Sequence, residues 1–545
     1  MPSAFCYNAF RLFTKGDDLM QLRPSRAISS LALVLMISAV LGGLFGGQVR
    51  ATTTAEEDTD SSIKLFSNLL GLVEENYANE VDADKAVYGA IDGMLRTLDP
   101  HSKFFDPKAF TSLREDQRGK YYGLGITVTT RFGKLTVVSP PFMGSPAEKV
   151  GLRVGDVISS INGDPTQGID INEAVSKLKG PRGTAVKIVV NRPGVEAPME
   201  LSPVRDEIAK FTINNSFVIR PRIGYIKLES FAETTGQELR DALKKLDVKN
   251  LDGLVFDLRG NPGGLLQEAI EVGETFLQKG QMIVETRGRT RGSNRPYASQ
   301  RINNDNLFPL VVLINASSAS ASEIVAGALQ DHDRALIVGQ TSFGKGLVQS
   351  VYPLSKNAGI ALTTQKWYTP SGRLIQRDYS QISQFDYYNH RETAPAKKDD
   401  IKHSDIGRIV YGGGGITPDY IVDEPKFNDF QDLLTRRFAI YTFVRDFLAK
   451  NPPIDASFKV SDAMLNDFKQ HITKRGIEFT DKDFDENREF LRRMMRYEIV
   501  YNRLGVSDAQ RVLLEDDPLV VKAIELIPEA KDLASKARRQ LAERN

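Results

Sequence analysis

The strongest constraint on this fold lies between residues 310 and 349, where two short apolar runs flank a serine-rich turn and a helical pattern. The first run, Leu310–Ile314, is short and rich in β-branched residues, as is typical of a buried strand. Small and apolar residues recur at helical spacing from Glu323 to Leu329, and Ala335–Gly339 is a second apolar strand. A strand therefore gives way to a helix through the turn. Such a geometry can present a side chain at a helix N-terminus.

The serine-rich turn has two interpretations. It contains four serines, Ser317, Ser318, Ser320 and Ser322. Ser320 and Glu323 fit a capping box, in which both side chains accept hydrogen bonds from backbone amides at the start of a helix. On these residues alone, capping explains the turn better than catalysis does.

A lysine between two glycines favours catalysis over capping as the role of the turn. Gly344-Lys345-Gly346 follows the second strand. Burial of Lys345 would lower its pKa, and a neutral amine can act as a general base. A serine hydroxyl is a poor nucleophile until such a base takes its proton, and Ser-Lys pairs are a known variant of the catalytic triad. Gln349 lies four residues beyond Lys345 and can hold the amine by a hydrogen bond.

The motifs SASASEI, DHDRA and GQTSFGKGLVQ in this block resemble those of the carboxyl-terminal processing peptidases, also called tail-specific proteases. The resemblance implies that the central serine of SASAS is the nucleophile and that a lysine twenty-five residues later is the base. Ser320 and Lys345 have this separation, and Gln349 matches the family's third catalytic residue. His332 lies between two aspartates and suggests a Ser-His-Asp alternative, but the lysine explains the neighbouring glycines better.

Length and composition exclude several classes of protein. A chain of 545 residues that is 41% hydrophobic can form several domains with cores of their own. A formal net charge of +1 suggests neither nucleic acid nor an anionic membrane surface as a partner. The single cysteine, Cys6, excludes an internal disulfide and a cysteine-based zinc site. The five histidines lack metal-ligand spacing, so neither a metal nor another cofactor is expected.

Residues 1–50 are predicted to be a cytoplasmic leader followed by a signal peptide or membrane anchor. Ala27–Phe45 is an almost unbroken apolar run, and several basic residues precede it. Val49-Arg50-Ala51 is a weak cleavage site, so a cleaved signal and an uncleaved anchor both remain open, as does a later start at Met20. Either alternative places the rest of the chain in the periplasm, free or anchored to the inner membrane.

Residues 51–117 are predicted to form a flexible tether and an N-terminal helical segment. Ile63–Leu98 shows helical periodicity with a break near Asn79, and a helical pair that packs on the core is the favoured interpretation. The DPHSKFF motif that follows, Asp99–Phe105, resembles a segment that precedes the peptide-binding module in the same family.

Residues 118–204 are predicted to form a compact β-rich module with a helix near Ile171–Leu178. The strand-opening sequence YGLGI and the later AEKVGLRVGDVISSING resemble a PDZ domain. The resemblance implies that the backbone amides of Leu124, Gly125 and Ile126 bind the terminal carboxylate of a peptide. Glycine is needed in such a loop because a side chain would obstruct the approach of the ligand.

Residues 205–422 are predicted to form the catalytic domain. A strand at Gly224–Leu228, a helix at Gly236–Leu246 and a strand at Gly253–Leu258 imply an α/β core. The following turn, RGNPGG, is a helix-entry turn or an oxyanion hole. The resemblance implies the second role, with Gly263 as one donor, Gly264 as its nearest alternative, and the amide of Ala321 as the other donor.

The last part of the chain carries motifs that are less specific to the family. Arg377–Ile406 is predicted to be an irregular excursion and Gly412–Gly415 a flexible joint, while Gly415–Asp419 matches a GIxPD motif of the family. Residues 423–545 are predicted to be a helical region that packs on the core or mediates assembly, with a homo-oligomer as one possibility. Clear resemblance covers residues 63–422.

Together these features predict a multidomain α/β protein, in which a helical N-terminal segment, a PDZ domain, a crotonase-like α/β catalytic core and a helical C-terminal region follow one another. The resemblance implies an exported serine endopeptidase with a Ser-Lys mechanism, acting on proteins or peptides with free C-termini. Two other classes remain as alternatives: a PDZ scaffold that binds peptides without hydrolysis, and a crotonase-like hydratase acting on small thioesters. The intact trio of candidate catalytic residues disfavours the first, and the PDZ module disfavours the second.

Overall fold

The computed structural model describes residues 58–302, 308–389, 400–450, 454–455 and 457–544. The predicted export segment, Ala27–Phe45, lies outside these residues. Within the described ranges, no helix combines the length and the apolar character that are needed to cross a bilayer. The chain divides into two compact units, Met1–Ile91 and Asp92–Asn545.

The first unit contributes two helices. Helix α1 spans residues 58–76, and α2 spans Ala83–Arg96, the last turns of which belong to the second unit. The gap between them contains the break predicted near Asn79. The apolar side chains of α1 are exposed, with Leu65, Leu69 and Leu72 at 55–70% of full exposure. The packing expected for this helical pair stays a prediction.

Strand β1, Lys103–Phe105, and helix α3, Pro107–Arg118, open the folded part of the second unit. The side chain of Asp106 accepts a hydrogen bond from the Ala109 amide, and Pro107 stands at the first helical position, where a missing N–H costs nothing. Gly119 ends the helix in the left-handed conformation (φ 66°). Local sequence signals thus set both ends of α3.

The β-rich module predicted for residues 118–204 contains mostly short strands and two helices, and its last strand lies just beyond the predicted end. Its elements are β2 Lys120–Gly123, β3 Val128–Arg131, β4 Lys134–Val137, α4 Pro146–Lys149, β5 Val157–Ile161, β6 Asp164–Pro165, α5 Ile171–Leu178, β7 Ile188–Asn191, β8 Met199–Leu201 and β9 Asp206–Ala209. The main sheet has the order β3-β4-β5-β7-β8, with β6 on β5, while β2 pairs with β9. Alternating apolar residues of β4, β5 and β7 form the core of the module with Ala174 and Leu178 of α5.

The predicted catalytic domain contains the remaining strands, three long helices and one short helix. They are β10 Asn215–Arg220, β11 Ile223–Lys227, α6 Thr235–Lys245, β12 Gly253–Asp257, α7 Leu266–Phe276, β13 Met282–Gly288, β14 Arg295–Ala298, β15 Leu310–Ile314, α8 Ala321–Asp331, β16 Leu336–Gly339, β17 Leu347–Pro353, β18 Gly359–Tyr368, α9 Gln384–Asn389, β19 Ile401–His403, β20 Ile409–Tyr411 and β21 Tyr420–Ile421. Three further sheets build the domain, the smallest of which is the pair β19-β20.

The larger sheet has the order β10-β11-β12-β15-β16-β21. Its strands are parallel from β11 to β21, and β10 joins β11 as an antiparallel edge. The central strands β12 and β15 are buried along their whole length, so they carry continuous apolar runs rather than alternating ones. The turns after β12 and β15 lie side by side at the carboxyl ends of these strands, where ligands bind in open α/β sheets.

The smaller sheet has the order β1-β18-β13-β14, with β17 also on β18. Strand β1 pairs antiparallel with β18, so that Lys103 is opposite Ala361 and Phe105 is opposite Gly359. This pairing brings the DPHSKFF motif beside β18, the second strand after the predicted lysine base. Periodicity along the sequence contains no signal for such a distant pairing.

The C-terminal region is helical, as predicted. It comprises α10 Asp429–Arg436, α11 Ala439–Leu448, α12 Asp462–Lys474, α13 Asp481–Glu486, α14 Arg488–Leu504, α15 Val506–Leu514, α16 Pro518–Glu525 and α17 Ile527–Arg544. Helices α10 to α14 bury a core of their own. Apolar residues of α16 and α17, including Leu519 and Ile527, instead cover one face of the larger sheet, opposite the face covered by α6, α7 and α8. The end of the chain is therefore part of the catalytic core.

Two features of the sequence pattern differ from the structure. Apolar residues recur at helical spacing over residues 430–448, but the structure divides this stretch into α10 and α11 at Phe438, which has a left-handed backbone (φ 50°). The predicted flexible joint Gly412–Gly415 is tightly held, because Gly413 and Gly415 donate backbone hydrogen bonds to Leu374 and Ile375. A Cβ atom on Gly415 would come within 2.5 Å of the Ser342 carbonyl oxygen, so these glycines serve close packing.

Candidate active site

A cleft of about 710 Å³ at the carboxyl ends of β12 and β15 contains the predicted catalytic residues. Ser320, Lys345 and Gln349 all line it, and so do Gly263 and Ala321 of the predicted oxyanion hole. The structure thus brings together five residues that span 87 positions of the sequence. Apolar side chains form the rest of one wall, among them Phe231, Leu265, Leu266, Ile324, Leu347 and Trp367.

Ser320 occupies the sharp turn between β15 and α8. Its backbone has φ 54° and ψ −112°, a conformation that residues with a side chain rarely adopt. Such strain costs about 1–3 kcal/mol and persists where the surrounding structure enforces it, often at functional sites. The turn projects the hydroxyl into the cleft at the N-terminus of α8, as sharp strand-to-helix turns do for nucleophilic serines.

Two neighbouring serines of the turn have structural roles. Ser318 Oγ donates to the Leu258 carbonyl oxygen at 2.8 Å, and Ser322 Oγ donates to the Asn261 carbonyl oxygen at 3.0 Å. Both hydroxyls are buried. They fasten the serine-rich turn to the RGNPGG turn, which leaves Ser320 as the serine that lines the cleft.

The RGNPGG turn passes directly beside Ser320. A Cβ atom on Gly263 would lie 2.9 Å from the amide nitrogen of Ala321 and 2.9 Å from Ser320 Cβ, so only glycine fits there. The Gly263 amide itself donates to Asn261 Oδ1 at 2.8 Å. The Gly263 amide, which the resemblance implies as an oxyanion donor, is therefore already hydrogen-bonded. The amide of Ala321 lies in the first turn of α8, where helix geometry provides no intrahelical acceptor.

Lys345 lies in the loop before β17, and the pKa of its ammonium is lowered by burial. The negative charges of Glu323 and Asp99 oppose this effect. The Lys345 amide donates to Glu323 Oε2 at 2.9 Å, and its carbonyl oxygen accepts from Trp367 Nε1 at 3.1 Å. The backbone of the loop is thus anchored independently of the lysine side chain, which is free to serve as a base.

Glu323 links the nucleophile turn to the lysine loop. Its Oε2 accepts from the amides of Ser320 (2.7 Å) and Lys345 (2.9 Å), and its Oε1 accepts from the Gly344 amide (2.6 Å) and the Ser342 hydroxyl. The side chain is fully buried. Burial raises the pKa of Glu323, and the four donors counteract that rise because they stabilise the carboxylate. The bond from the Ser320 amide belongs to the capping box predicted from sequence. The contacts to the lysine loop were not predicted.

His101 is a second residue that sequence analysis did not assign to the cleft. Tyr388 donates its hydroxyl to the Pro100 carbonyl oxygen at 2.8 Å, so it accepts from His101 Nδ1 at 3.1 Å. His101 Nε2 then accepts from the Tyr387 hydroxyl at 3.0 Å. Burial, with the nearby charge of Lys345, lowers the pKa of His101 to about 4. The imidazole is therefore neutral and has both nitrogens satisfied.

The segment after β18 also differs from its prediction. Arg377–Ile406 was expected to be an irregular excursion, yet α9 forms within it and places Tyr387 in a small cluster with Phe343 and Ala319. The Arg377 guanidinium stacks on Phe343 at 4.7 Å and on Tyr387 at 4.4 Å. This cluster contacts the His101 ring through Phe343 and Tyr387, and it includes Ala319 of the strand-to-helix turn.

His332, the alternative base, is not in this cleft. Its Nδ1 contacts Asp405 Oδ2 and its Nε2 contacts the Met282 carbonyl oxygen, both at 2.7 Å. It lines a separate small cavity with Asp405 and Arg538. Both ring nitrogens are engaged there, so the geometry gives His332 no part in a triad with Ser320.

The predicted carboxylate-binding loop lies between β2 and β3, beside α5. The carbonyl oxygens of Leu124 and Gly125 accept from the amides of Ala147 and Phe142, both at 3.0 Å, which fixes the loop. Gly125 has φ +76°, and a Cβ atom there would lie 2.5 Å from Ser145 Cβ. The loop leads into β3, which packs against α5, and binding of a terminal carboxylate by the amides of Leu124, Gly125 and Ile126 stays a prediction.

Comparison with known proteins decides the family. A carboxy-terminal-processing protease of Bartonella bacilliformis is 43% identical over 329 residues, which are 60% of this chain and 75% of that relative. The chain belongs to the carboxy-terminal processing proteases. Carboxy-terminal processing protease CtpB of Bacillus subtilis is 36% identical over 66% of this protease and 77% of its own length. A solved structure, the photosystem II D1 C-terminal processing protease, is 27% identical over 66% of this chain and 92% of its own, with a TM-score of 0.34.

Family models match four separate parts of this protease. Peptidase family S41 matches residues 222–383, and a PDZ domain matches residues 138–192. The N-terminal domain of activating protease CtpB matches residues 46–109, and the C-terminal helical domain of a probable PDZ-protease matches residues 430–482. The predicted family and the mixed α/β fold with a PDZ domain are thereby confirmed. Ser320, Lys345 and Gln349 all fall within the S41 match.

Proposed function

We propose that this protease is a serine endopeptidase that captures the C-terminal tail of a protein substrate in its PDZ domain and hydrolyses peptide bonds with Ser320 and Lys345. One observation carries the proposal: Ser320, on a strained strand-to-helix turn, shares a cleft with a lysine whose pKa is lowered by burial. Membership of the S41 peptidases supports it.

The reaction begins when Ser320 Oγ attacks the scissile carbonyl carbon while neutral Lys345 takes the hydroxyl proton. The tetrahedral intermediate collapses to an ester on Ser320, and the Lys345 ammonium gives its proton to the leaving amine. Water then attacks the ester, Lys345 again takes a proton, and the new carboxyl end is released. Activity should rise with pH through the lowered pKa of Lys345, because only the neutral amine is a base.

The oxyanion of the intermediate requires two donors beside Ser320. The Ala321 amide is one, because it starts α8 at the positive end of the helix dipole. The RGNPGG turn supplies the other. Gly263 was the preferred donor, but its amide is engaged by Asn261 Oδ1 in this structure. The Gly264 amide, the alternative considered from the sequence, is therefore the better candidate.

The decisive experiment is incubation of the purified protease with an unfolded protein that carries a free C-terminus, followed by mass spectrometry of the products. Ser320→Ala protein, prepared in parallel, controls for contaminating proteases. Internal cleavage by the wild-type enzyme alone is the expected result. Binding without cleavage would favour the scaffold alternative. Neither binding nor cleavage, with turnover of a small enoyl thioester, would favour a hydratase.

Recognition of the free carboxylate can be tested within the PDZ domain. Gly125→Ala places a Cβ atom against Ser145, so the loop must shift and its charge-assisted bonds to the tail, worth about 1.5–3 kcal/mol each, weaken. We expect kcat/KM for a free-tailed substrate to fall about 10- to 100-fold, as it should for wild-type enzyme with an amidated substrate.

Gly133→Ala is the matched control for this variant. Gly133 also has a positive φ (72°), but a Cβ atom there meets nothing within 4 Å. The control should therefore retain cleavage, and an activated ester that reaches Ser320 directly should be turned over by both variants. Equal cleavage of free and amidated substrates by the wild-type enzyme would exclude recognition of the tail by this loop.

We also propose that the protease acts outside the cytoplasm. The apolar run Ala27–Phe45 and the basic residues before it support export. Protease added outside the inner membrane should then digest residues beyond Gly47 in spheroplasts. Recovery of the intact full-length chain in the cytoplasmic fraction would contradict export.

A further inference from the structure

The DPHSKFF motif supplies one wall of the cleft. His101, Lys103 and Phe105 line the same cavity as Ser320 and Lys345. Strand β1 holds the motif against β18, and β17, which carries Gln349, pairs with β18 from the other side. Residues from opposite sides of the PDZ domain in the sequence therefore meet on three adjacent strands.

Asp99, the first residue of this motif, is a buried carboxylate, at 8% of full exposure. Its Oδ1 accepts from the amides of His101 and Ser102, both at 2.8 Å, and its Oδ2 accepts from the Ser102 hydroxyl at 2.7 Å. A fourth donor comes from a distant part of the chain, because Thr363 Oγ1 donates to Asp99 Oδ1 at 3.1 Å. The carboxylate thus ties its own turn to β18.

The same threonine contacts the predicted third catalytic residue. Gln349 Nε2 donates to Thr363 Oγ1 at 3.3 Å. Because the Thr363 proton points to Asp99, its oxygen is oriented to accept from Gln349. With Nε2 committed in this way, Oε1 is the atom of Gln349 that can accept a hydrogen bond from the Lys345 ammonium.

We propose that Asp99 is a positioning residue of the active site, which acts through Thr363 to fix the orientation of the Gln349 side-chain amide. The proposal rests on the proposed Ser-Lys mechanism. The backbone amides of the motif hold Asp99, Asp99 holds the hydroxyl of Thr363, and Thr363 holds Gln349. Each link has a direction, because a carboxylate only accepts and Gln349 Nε2 only donates.

The charge of Asp99 gives this arrangement a second effect. Four groups bear on the electrostatics here: Glu323 from α8, Asp99 and His101 from the DPHSKFF segment, and Arg377 from the segment after β18. The carboxylates of Glu323 and Asp99 raise the pKa of Lys345 against the larger effect of burial. Removal of the Asp99 charge therefore lowers the pKa of Lys345, so the neutral base persists to lower pH.

A double-mutant cycle tests the hydrogen-bond chain. Thr363→Val keeps the shape of the side chain and removes its hydroxyl, and Gln349→Ala removes the amide. We expect each to lower kcat about tenfold, and we expect the double variant to be no slower than Gln349→Ala alone, because both changes break one chain. Thr363→Ser, which restores a hydroxyl, should recover activity. Thr364→Val is the matched control, since Thr364 is the next residue of β18 and its hydroxyl contacts Ser350 Oγ instead.

Losses that multiply in the double variant would overturn the proposal. If the wild-type enzyme cleaves and the cycle shows no coupling, the positioning role fails while the proposed function stands. If the wild-type enzyme does not cleave, the proposed function itself fails. Folding of every variant is checked by thermal unfolding.

Asp99→Asn provides a readout that a merely structural role would not change. The asparagine Oδ1 can still accept from Thr363, and its Nδ2 can donate to Ser102 Oγ, so the chain to Gln349 persists without the charge. The acid limb of the pH profile of kcat should move to lower pH in this variant and stay in place in Thr363→Val. An acid limb that moves to higher pH, or moves equally in both variants, would contradict an Asp99 charge acting on Lys345.

Discussion

Replacing Lys345 with alanine is expected to lower kcat/KM about 10²–10⁴-fold, the usual contribution of a general base. Lys345→Arg should fail equally, because a guanidinium stays protonated at any working pH and cannot accept the serine proton. Both enzymes should remain folded, since Glu323 and Trp367 anchor the loop through the backbone of residue 345. The measurement is kcat/KM on a free-tailed peptide between pH 6 and pH 10, with thermal unfolding in parallel.

Lys366→Ala is the control for these variants. Lys366 is an exposed residue of β18, close in sequence to Trp367 but pointing to solvent. Its loss should leave cleavage unchanged. Full activity in Lys345→Arg would exclude the lysine as the base, whereas loss of folding in Lys345→Ala would show that the side chain also has a structural role.

Local sequence signals predicted the elements that carry Ser320, the proposed nucleophile. The continuous apolar run of β15, the serine-rich turn and the helical spacing of α8 follow from neighbouring residues alone, and the structure has them at 310–314 and 321–331. The choice of Ser320 among four serines needed the family spacing. The structure adds a physical reason for this choice, because the hydroxyls of Ser318 and Ser322 donate hydrogen bonds to the neighbouring turn.

The residues that support the site could not be found in this way. Asp99 reaches Thr363 across 264 positions, through a strand pairing that includes only three residues of β1. Short antiparallel pairings between distant segments depend on the whole fold, and the alternation within them is too brief to predict a partner. For the same reason, the close packing of Gly415 was not predicted, since the pattern does not show which surface covers a residue.

The C-terminal region shows the same limit of local sequence patterns. The spacing of apolar residues predicted that residues 423–545 are helical. It did not show which helices form a separate core and which pack on the larger sheet. Helices α10 to α14 enclose their own core, while α16 and α17 complete the core of the larger sheet. An ion pair of 2.9 Å between Arg259 and Asp517, the N-cap of α16, joins this last segment to the RGNPGG turn.

Glu323→Gln is expected to be the second most damaging substitution of a single side chain, although Glu323 contacts no substrate. Four donors converge on its two oxygens. A glutamine has one oxygen and one NH₂ group, so at least one backbone N–H among those of Ser320, Gly344 and Lys345 must face another donor. Each buried donor left unsatisfied costs about 1–3 kcal/mol, and the bonds that remain lose the strength that the charge provides.

These losses act on the nucleophile turn and the lysine loop together. We therefore expect kcat to fall about 100-fold or more in Glu323→Gln, because small displacements of catalytic groups have effects of that size. The midpoint of thermal unfolding should fall as well. The same substitution at Glu271, a half-exposed residue of α7 that pairs with Arg240 and Arg301, is the control and should leave kcat unchanged. Since the Glu323 charge also raises the pKa of Lys345, the remaining activity should extend to lower pH. An unchanged kcat would show that the two loops hold their positions without this carboxylate.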